Sequence, residues 1–219
     1  MHQSTMPNIK FLYSPDACSI IPHILLHETK TSFELIRIEM EGTDLSFPES
    51  FRKINPKSRV PVIVLGDEVI TEVPAISTIV SSLAPRAHLL GRTPVDTARV
   101  HEWMNYVAGT VHAGGISHVF RPGRWTVSTE EKDLDMIKRR GLEIMRNCFS
   151  LIEERLVGEY AVGQDFTAAD AFLYFAYRWG VTAEIEMPVY ARFTELAQKV
   201  ERRETVQTVL RDERIHSIF

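Results

Sequence analysis

Cysteine is nearly missing from this chain of 219 residues: Cys18 and Cys148 stand far apart, with no CxxC pair. A disulfide framework is thereby excluded, and reduced thiols with no bound metal are expected. Long apolar runs are also absent. Nowhere do roughly 18 apolar residues follow one another, and the polar stretch from Met1 to Asn8 lacks the hydrophobic segment of an export signal. The expectation is a cytoplasmic chain with no membrane partner. Nor is there an excess of basic charge: 25 Lys and Arg face 29 Asp and Glu, a net charge of -4 with the signs interspersed. Without a basic stripe to neutralise phosphates, nucleic acid is not an expected partner. The apolar content of 44% and charged content of 25% are ordinary for globular proteins and exclude collagen-like, coiled-coil and disordered readings. A chain of this length holds one large domain or two small ones.

What is there falls into two stretches of different periodicity. Ile9 to Tyr13 reads as a buried strand, Ser19 to Thr29 carries Ile20, Ile21, Ile24, Leu25 and Leu26 at helical spacing, and Phe33 to Glu39 alternates as a strand does. Glu49 to Ile54 suits a short helix. Pro61 to Leu65 and Val69 to Thr71 flank Gly66-Asp67, a hairpin turn signal, and Ala75 to Leu83 is helical again. The order β-α-β-α-β-β-α is that of a thioredoxin-like domain, here over residues 8–85, with a right-handed first crossover. After Pro85 the strands stop. Beyond the connector Leu89 to Pro94, helical patterns run over about Val95 to His118, Glu130 to Leu156, Ala168 to Trp179, Val189 to Val200 and Glu204 to Arg211. An all-helical domain is therefore expected over 93–219, and the fold class is α+β. Phe166-Thr167-Ala168-Ala169-Asp170 marks a helix start, with Thr167 as cap, Asp170 as its reciprocal acceptor and Phe166 as a hydrophobic staple.

Four places suggest chemistry. Cys18 ends the turn Ser14-Pro15-Asp16-Ala17 at the start of the first helix, where backbone N–H groups and the helix dipole favour thiolate. The bland alternative is a small residue packing a helix terminus. Val60-Pro61 opens a central strand, a position that demands special geometry such as a cis bond, and would leave the Val60 backbone groups available to an extended peptide. Otherwise Pro61 is a turn former. Glu72, beside the N-terminus of the helix that follows Thr71, either caps that helix or binds an ammonium group. His112 and His118 lie on the first long helix of the second domain, among Trp103, Tyr106 and Phe120; a helical histidine is more often structural than catalytic.

Taken together, Tyr13-Ser14-Pro15-Asp16-Ala17-Cys18-Ser19, Asn55 to Pro61, Thr71-Glu72, Glu102 to Tyr106, His112, Phe120-Arg121-Pro122 and Phe166 to Asp170 resemble the glutathione transferases, in particular the bacterial beta class. The resemblance covers nearly the whole chain in order. It implies that Cys18 contacts the glutathione sulfur, with Ser19 and His112 as further catalytic candidates and Ser14 and Tyr13 as fallback donors. It also implies that Val60, before a cis Pro61, binds the cysteinyl backbone. Glu72 would hold the γ-glutamyl amine, Val73 offers a backbone N–H to the neighbouring carboxylate, and Lys57 or Arg59 would meet the glycyl carboxylate. Asn105 would reach the glutathione of a partner subunit, which requires a homodimer. Three positions depart from the pattern: Asp16, whose charge opposes the Cys18 thiolate; Val73, where serine is usual; and Thr43, where a lysine is usual.

The implied activity is conjugation of glutathione to a hydrophobic electrophile, seated against some of His112, Gly115, His118, Phe120, Trp125 and Trp179, in a detoxifying role. The same site would serve thiol-disulfide exchange through Cys18, an isomerase, or a dedicated biosynthetic step that recycles glutathione. A non-catalytic ligand-binding protein of the same fold is the third reading.

Overall fold

The computed structural model describes residues 8–39 and 47–219; Thr43 lies outside them. Four short strands form one mixed sheet in the order β2-β1-β3-β4. They are β1 (Ile9–Tyr13), β2 (Glu34–Arg37), β3 (Val62–Leu65) and β4 (Glu68–Thr71). β1 runs parallel to β2, with Phe11 opposite Leu35, and antiparallel to β3, with Phe11 opposite Ile63. β3 and β4 form the hairpin expected around Gly66, whose φ of 62° the turn requires. Helices α1 (Ile20–Glu28), α2 (Glu49–Ile54) and α3 (Val73–Leu83) complete the β-α-β-α-β-β-α order, and with the helical stretches beyond it the fold class is α+β.

The strand period of two divides the side chains between the two faces of the sheet. Leu12, Val60 and Val62 cluster with Phe47 and with Phe51 of α2. Phe11 and Tyr13 turn the other way, each with its ring centroid 5.7 Å from that of His23 on α1. α1 packs on α3 on that side, and Ile20, Ile24 and Leu25 are wholly buried.

The chain divides into two compact units. The first comprises the described residues up to Ala87 together with Glu204–His216; the second comprises His88–Arg203 and Ser217–Phe219. Helix α9 (Glu204–Glu213), which helical periodicity alone groups with the second domain, thus belongs to the sheet unit. It buries Val206, Val209 and Leu210 at spacings of three and one and docks on α1. An amphipathic pattern says which face is covered and is silent about the surface that covers it.

The second unit is helical: α4 (Pro94–Tyr106), a ten-residue π-helix (Val107–Ile116), α5 (Ser117–Phe120), α6 (Glu131–Arg155), α7 (Ala168–Thr182) and α8 (Ala191–Glu201). The sequence predicts one unbroken helix over Val95 to His118; the structure changes its winding at Val107. Gly109, Gly114 and Gly115 make this the weakest helix-forming stretch of the segment, and the wider winding falls there. The π-helix also crosses α6 at close range. A Cβ added at Gly115 would lie 2.7 Å from Met145 Cγ, and one at Gly141 would lie 2.9 Å from the Gly115 carbonyl oxygen.

α7 is the central helix, with every residue from Ala168 to Arg178 buried. Its start is held by the Asp170 carboxylate, which accepts from the Thr167 N–H at 2.7 Å, the Thr167 hydroxyl at 3.0 Å and the Ala161 N–H at 2.8 Å. The expected reciprocal acceptor is therefore in place. Among the described residues no helix is long and apolar enough to cross a membrane.

Candidate active site

In the first unit the chain leaves β1 through a turn that presents Cys18. Ser19, fully buried at the N-cap of α1, stitches this turn: its Oγ donates to the Ser14 carbonyl at 3.0 Å and accepts from the Ser14 N–H at 3.3 Å. Its hydroxyl is thereby committed to the backbone. Asp16 sits in the left-handed region at φ 54°, which short polar residues tolerate, and its N–H donates to Glu213 Oε2 of α9 at 3.0 Å. Glu213 is a residue that sequence reading misses; its only trace is an acid on the apolar side of the last helical pattern.

The Cys18 thiol donates to the Val60 carbonyl at 3.5 Å. Although Cys18 keeps some solvent contact, it is enclosed enough that burial pushes the thiol up to about 12. Its own backbone N–H and Arg59 work in the opposite direction and are outweighed, while Glu72 adds to the rise. The expected preference for thiolate is reversed, because desolvation exceeds the help from the helix start. The opposing carboxylate is Glu72, where the sequence pointed to Asp16.

Val60-Pro61 is a cis peptide bond. The loop leading to it is organised by buried Asn55, whose Nδ2 donates to the Arg59 carbonyl at 2.6 Å and whose Oδ1 accepts from the Lys57 N–H at 3.2 Å. Within the described residues the Val60 N–H meets no acceptor. Glu72 is the N-cap residue of α3, at φ 74° and ψ 125°, a conformation that costs a non-glycine residue on the order of 1–3 kcal/mol. Its side chain does not cap the helix. The exposed carboxylate instead pairs with the Lys57 ammonium, which also donates to Thr71 Oγ1 at 2.6 Å. A lysine ammonium thus occupies the Glu72 carboxylate. Val73 is buried at the first turn of α3, and Ser77 turns its hydroxyl back to the Val73 carbonyl at 2.7 Å.

In the second unit His112 lies on the π-helix, edge-on to Phe175 of α7 with centroids 5.2 Å apart. Phe175 neighbours Trp179 at 6.2 Å, and Trp179 meets Phe120 edge-on at 4.6 Å. His118 stacks on Trp125 at 4.1 Å, and the Trp125 indole donates to Ser117 Oγ at 3.1 Å. A chain of ring contacts therefore runs from His112 through Phe175 and Trp179 to Phe120. Asn105 is exposed on α4, its Nδ2 donating to the His101 carbonyl at 2.8 Å. Cys148 is buried and hydrogen-bonded to Tyr106, and has no place in the site.

Residues 17–83 match the family model described as glutathione S-transferase, N-terminal domain. The chain is 29% identical over 207 residues to glutathione S-transferase GstA of Escherichia coli O157:H7, covering 92% of this chain and 97% of that protein. Among solved structures it is similar to a glutathione transferase homologue from Sulfitobacter with bound glutathione, at TM-score 0.87 and 26% identity over 96% of this chain and all of that one. A sphingomonad glutathione S-transferase complexed with glutathione superposes with TM-score 0.81 and 26% identity, over 94% of this chain and 100% of the other.

Proposed function

We propose that the chain is a member of the glutathione transferase family, which its matches support, and that it binds reduced glutathione in its first unit and transfers the tripeptide to a hydrophobic electrophile. The observation that carries this reading is the Cys18 sulfhydryl on the Val60 carbonyl. A thiol donor and a backbone edge with an open N–H lie side by side there, the two things a cysteinyl residue in extended form needs.

The mechanism follows from the protonation state of Cys18. With burial pushing its thiol up to about 12, Cys18 stays protonated at neutral pH and serves as an S–H donor. Turned from the Val60 carbonyl toward an incoming sulfur, that S–H stabilises the glutathione thiolate left when the glutathione thiol gives its proton to solvent; the thiolate then bonds to the electrophilic carbon as that carbon's leaving group, chloride in a chlorodinitrobenzene, departs. The Val60 backbone fixes the cysteinyl unit and Glu72 takes the γ-glutamyl ammonium. Lys57, displaced from Glu72, meets a ligand carboxylate, and the Val73 N–H at the start of α3 meets another. Ser19 acts through the turn it holds. His112 and Asn105 are assigned to the electrophile side and to a partner subunit's glutathione, and with them a homodimer, a cytoplasmic location and a detoxifying role are part of the proposal. Thiol-disulfide exchange through Cys18 is disfavoured, because it needs the thiolate that burial suppresses.

Calorimetry with reduced glutathione, paired with steady-state conjugation of a chlorodinitrobenzene, tests the proposal. Saturable binding that Glu72→Gln weakens, with turnover retained in Cys18→Ser, supports it. No heat of binding refutes it, and binding without turnover of any electrophile leaves a ligand-binding protein.

A further inference from the structure

Away from Cys18 and Val60, α1 and α9 bring together three metal-ligating side chains: His23, His27 and Asp212, with ligand atoms all within 4.8 Å of one another. We propose that these residues form a binding site for a divalent transition metal, Zn²⁺ by preference, which fastens α9 to α1.

His23 and His27 are four residues apart on one helix and so share a face, with ring centroids 5.2 Å apart. His23 is completely buried and lies with its Nδ1 2.9 Å from Glu213 Oε1. The carboxylate is an acceptor, so Nδ1 carries the proton and Nε2 presents its lone pair. That Nε2 is buried and meets no hydrogen-bond partner among the described residues, and the same is true of His27 Nε2. Both face one oxygen, Asp212 Oδ2, at 3.9 Å from His23 and 3.4 Å from His27. The longer contact is beyond hydrogen-bond reach, and the shorter lies at its outer limit. Two nitrogen sites and a carboxylate oxygen thus converge around a buried His23 Nε2 lone pair that no donor meets among the described residues, an arrangement that a cation between them satisfies.

The spacing suits the ion. Tetrahedral zinc with bonds of about 2.0–2.1 Å separates its ligand atoms by about 3.3 Å, so the His27–Asp212 distance already fits and small side-chain rotations close the others. Imidazole with carboxylate matches zinc, while soft thiolate ligands are absent from the cluster. Glu213 supplies the outer carboxylate that usually orients a ligating histidine. A groove of about 520 Å³ borders both His27 and Asp212. The sequence expectation of no metal rests on cysteine spacing. Its missed sign is the His23–His27 interval, and the third ligand lies far along the chain on α9.

Zn²⁺ titrated into the full-length, chelator-treated protein by calorimetry tests the site, with Co²⁺ absorption to report geometry. One equivalent should bind and raise the melting temperature. His27→Gln and Asp212→Asn, both at partly exposed positions, should each weaken binding at least tenfold, and Glu213→Gln on the order of 10–100-fold. Absence of saturable Zn²⁺ binding overturns the proposal. So does binding that persists at full strength in the His27→Gln, Asp212→Asn double variant, since the thiols would then be the ligands.

Discussion

The crossing of the π-helix over α6 makes a sharp prediction for Gly141→Ala. An added Cβ would meet His118 Cβ at 2.8 Å, the Gly115 carbonyl oxygen at 2.9 Å and Val119 Cγ2 at 2.9 Å. None of these is the free end of a flexible side chain, so the two helices must separate. Overpacking of this kind costs about 1–3 kcal/mol, and three simultaneous contacts place the cost toward the upper end. Replacing glycine by alanine inside a helix returns up to about 1 kcal/mol. The net expectation is a destabilisation of about 1–2 kcal/mol, read in urea as a fall of roughly half a molar in the unfolding midpoint at unchanged slope. Gly109→Ala is the matched control, because nothing lies within 4 Å of a Cβ added there. It should leave stability unchanged or raise it by a few tenths of a kcal/mol. A Gly141→Ala midpoint at or above wild type, moving with that of Gly109→Ala, would refute the close-approach reasoning. Because His118 and Phe120 ride on the displaced segment, the variant should also shift KM for the electrophile more than that for glutathione.

Cys18, with its thiol up to about 12, should react with iodoacetamide at pH 7.5 far more slowly than a free cysteine, and Cys18→Ala should lose more conjugating activity than Cys18→Ser, which keeps a donor; rapid alkylation would contradict the assigned state. Burial pushes the Asp170 carboxyl up to about 6, so the folded chain holds this proton more tightly than the unfolded chain. Its contribution to stability is full below pH 4 and is lost as pH rises through 6, up to about 3 kcal/mol. Melting temperatures across pH 4–7 should therefore fall more for wild type than for Asp170→Asn, and parallel curves would exclude the effect. Lys57→Ala removes an exposed ion pair and should change stability by less than about 1 kcal/mol, while altering glutathione affinity measured by calorimetry.

Much of this architecture can be read from residue order. The strand and helix periods between Ile9 and Leu83 correspond to β1 through α3, the Gly66-Asp67 turn makes its hairpin, and Thr167 with Asp170 starts α7 as their spacing requires. The turn carrying Cys18 and the Val60-Pro61 junction also stand where local chemistry puts them. These are short-range matters, governed by backbone conformation and by which face of an element is apolar.

Other features depend on which distant surfaces meet. The protonation state of Cys18 turned over because enclosure, which no local pattern reports, outweighs the helix start. Helix α9 returned to the sheet unit and carried Glu213 to the Cys18 turn and Asp212 to His23 and His27. The long first helix of the second unit changed its winding at Val107, where its glycines cross α6. Local sequence thus determined the elements and the residue types at their ends; desolvation, close approach and the meeting of remote charges arise only when the chain is packed, because each depends on atoms that are neighbours in space and not in order.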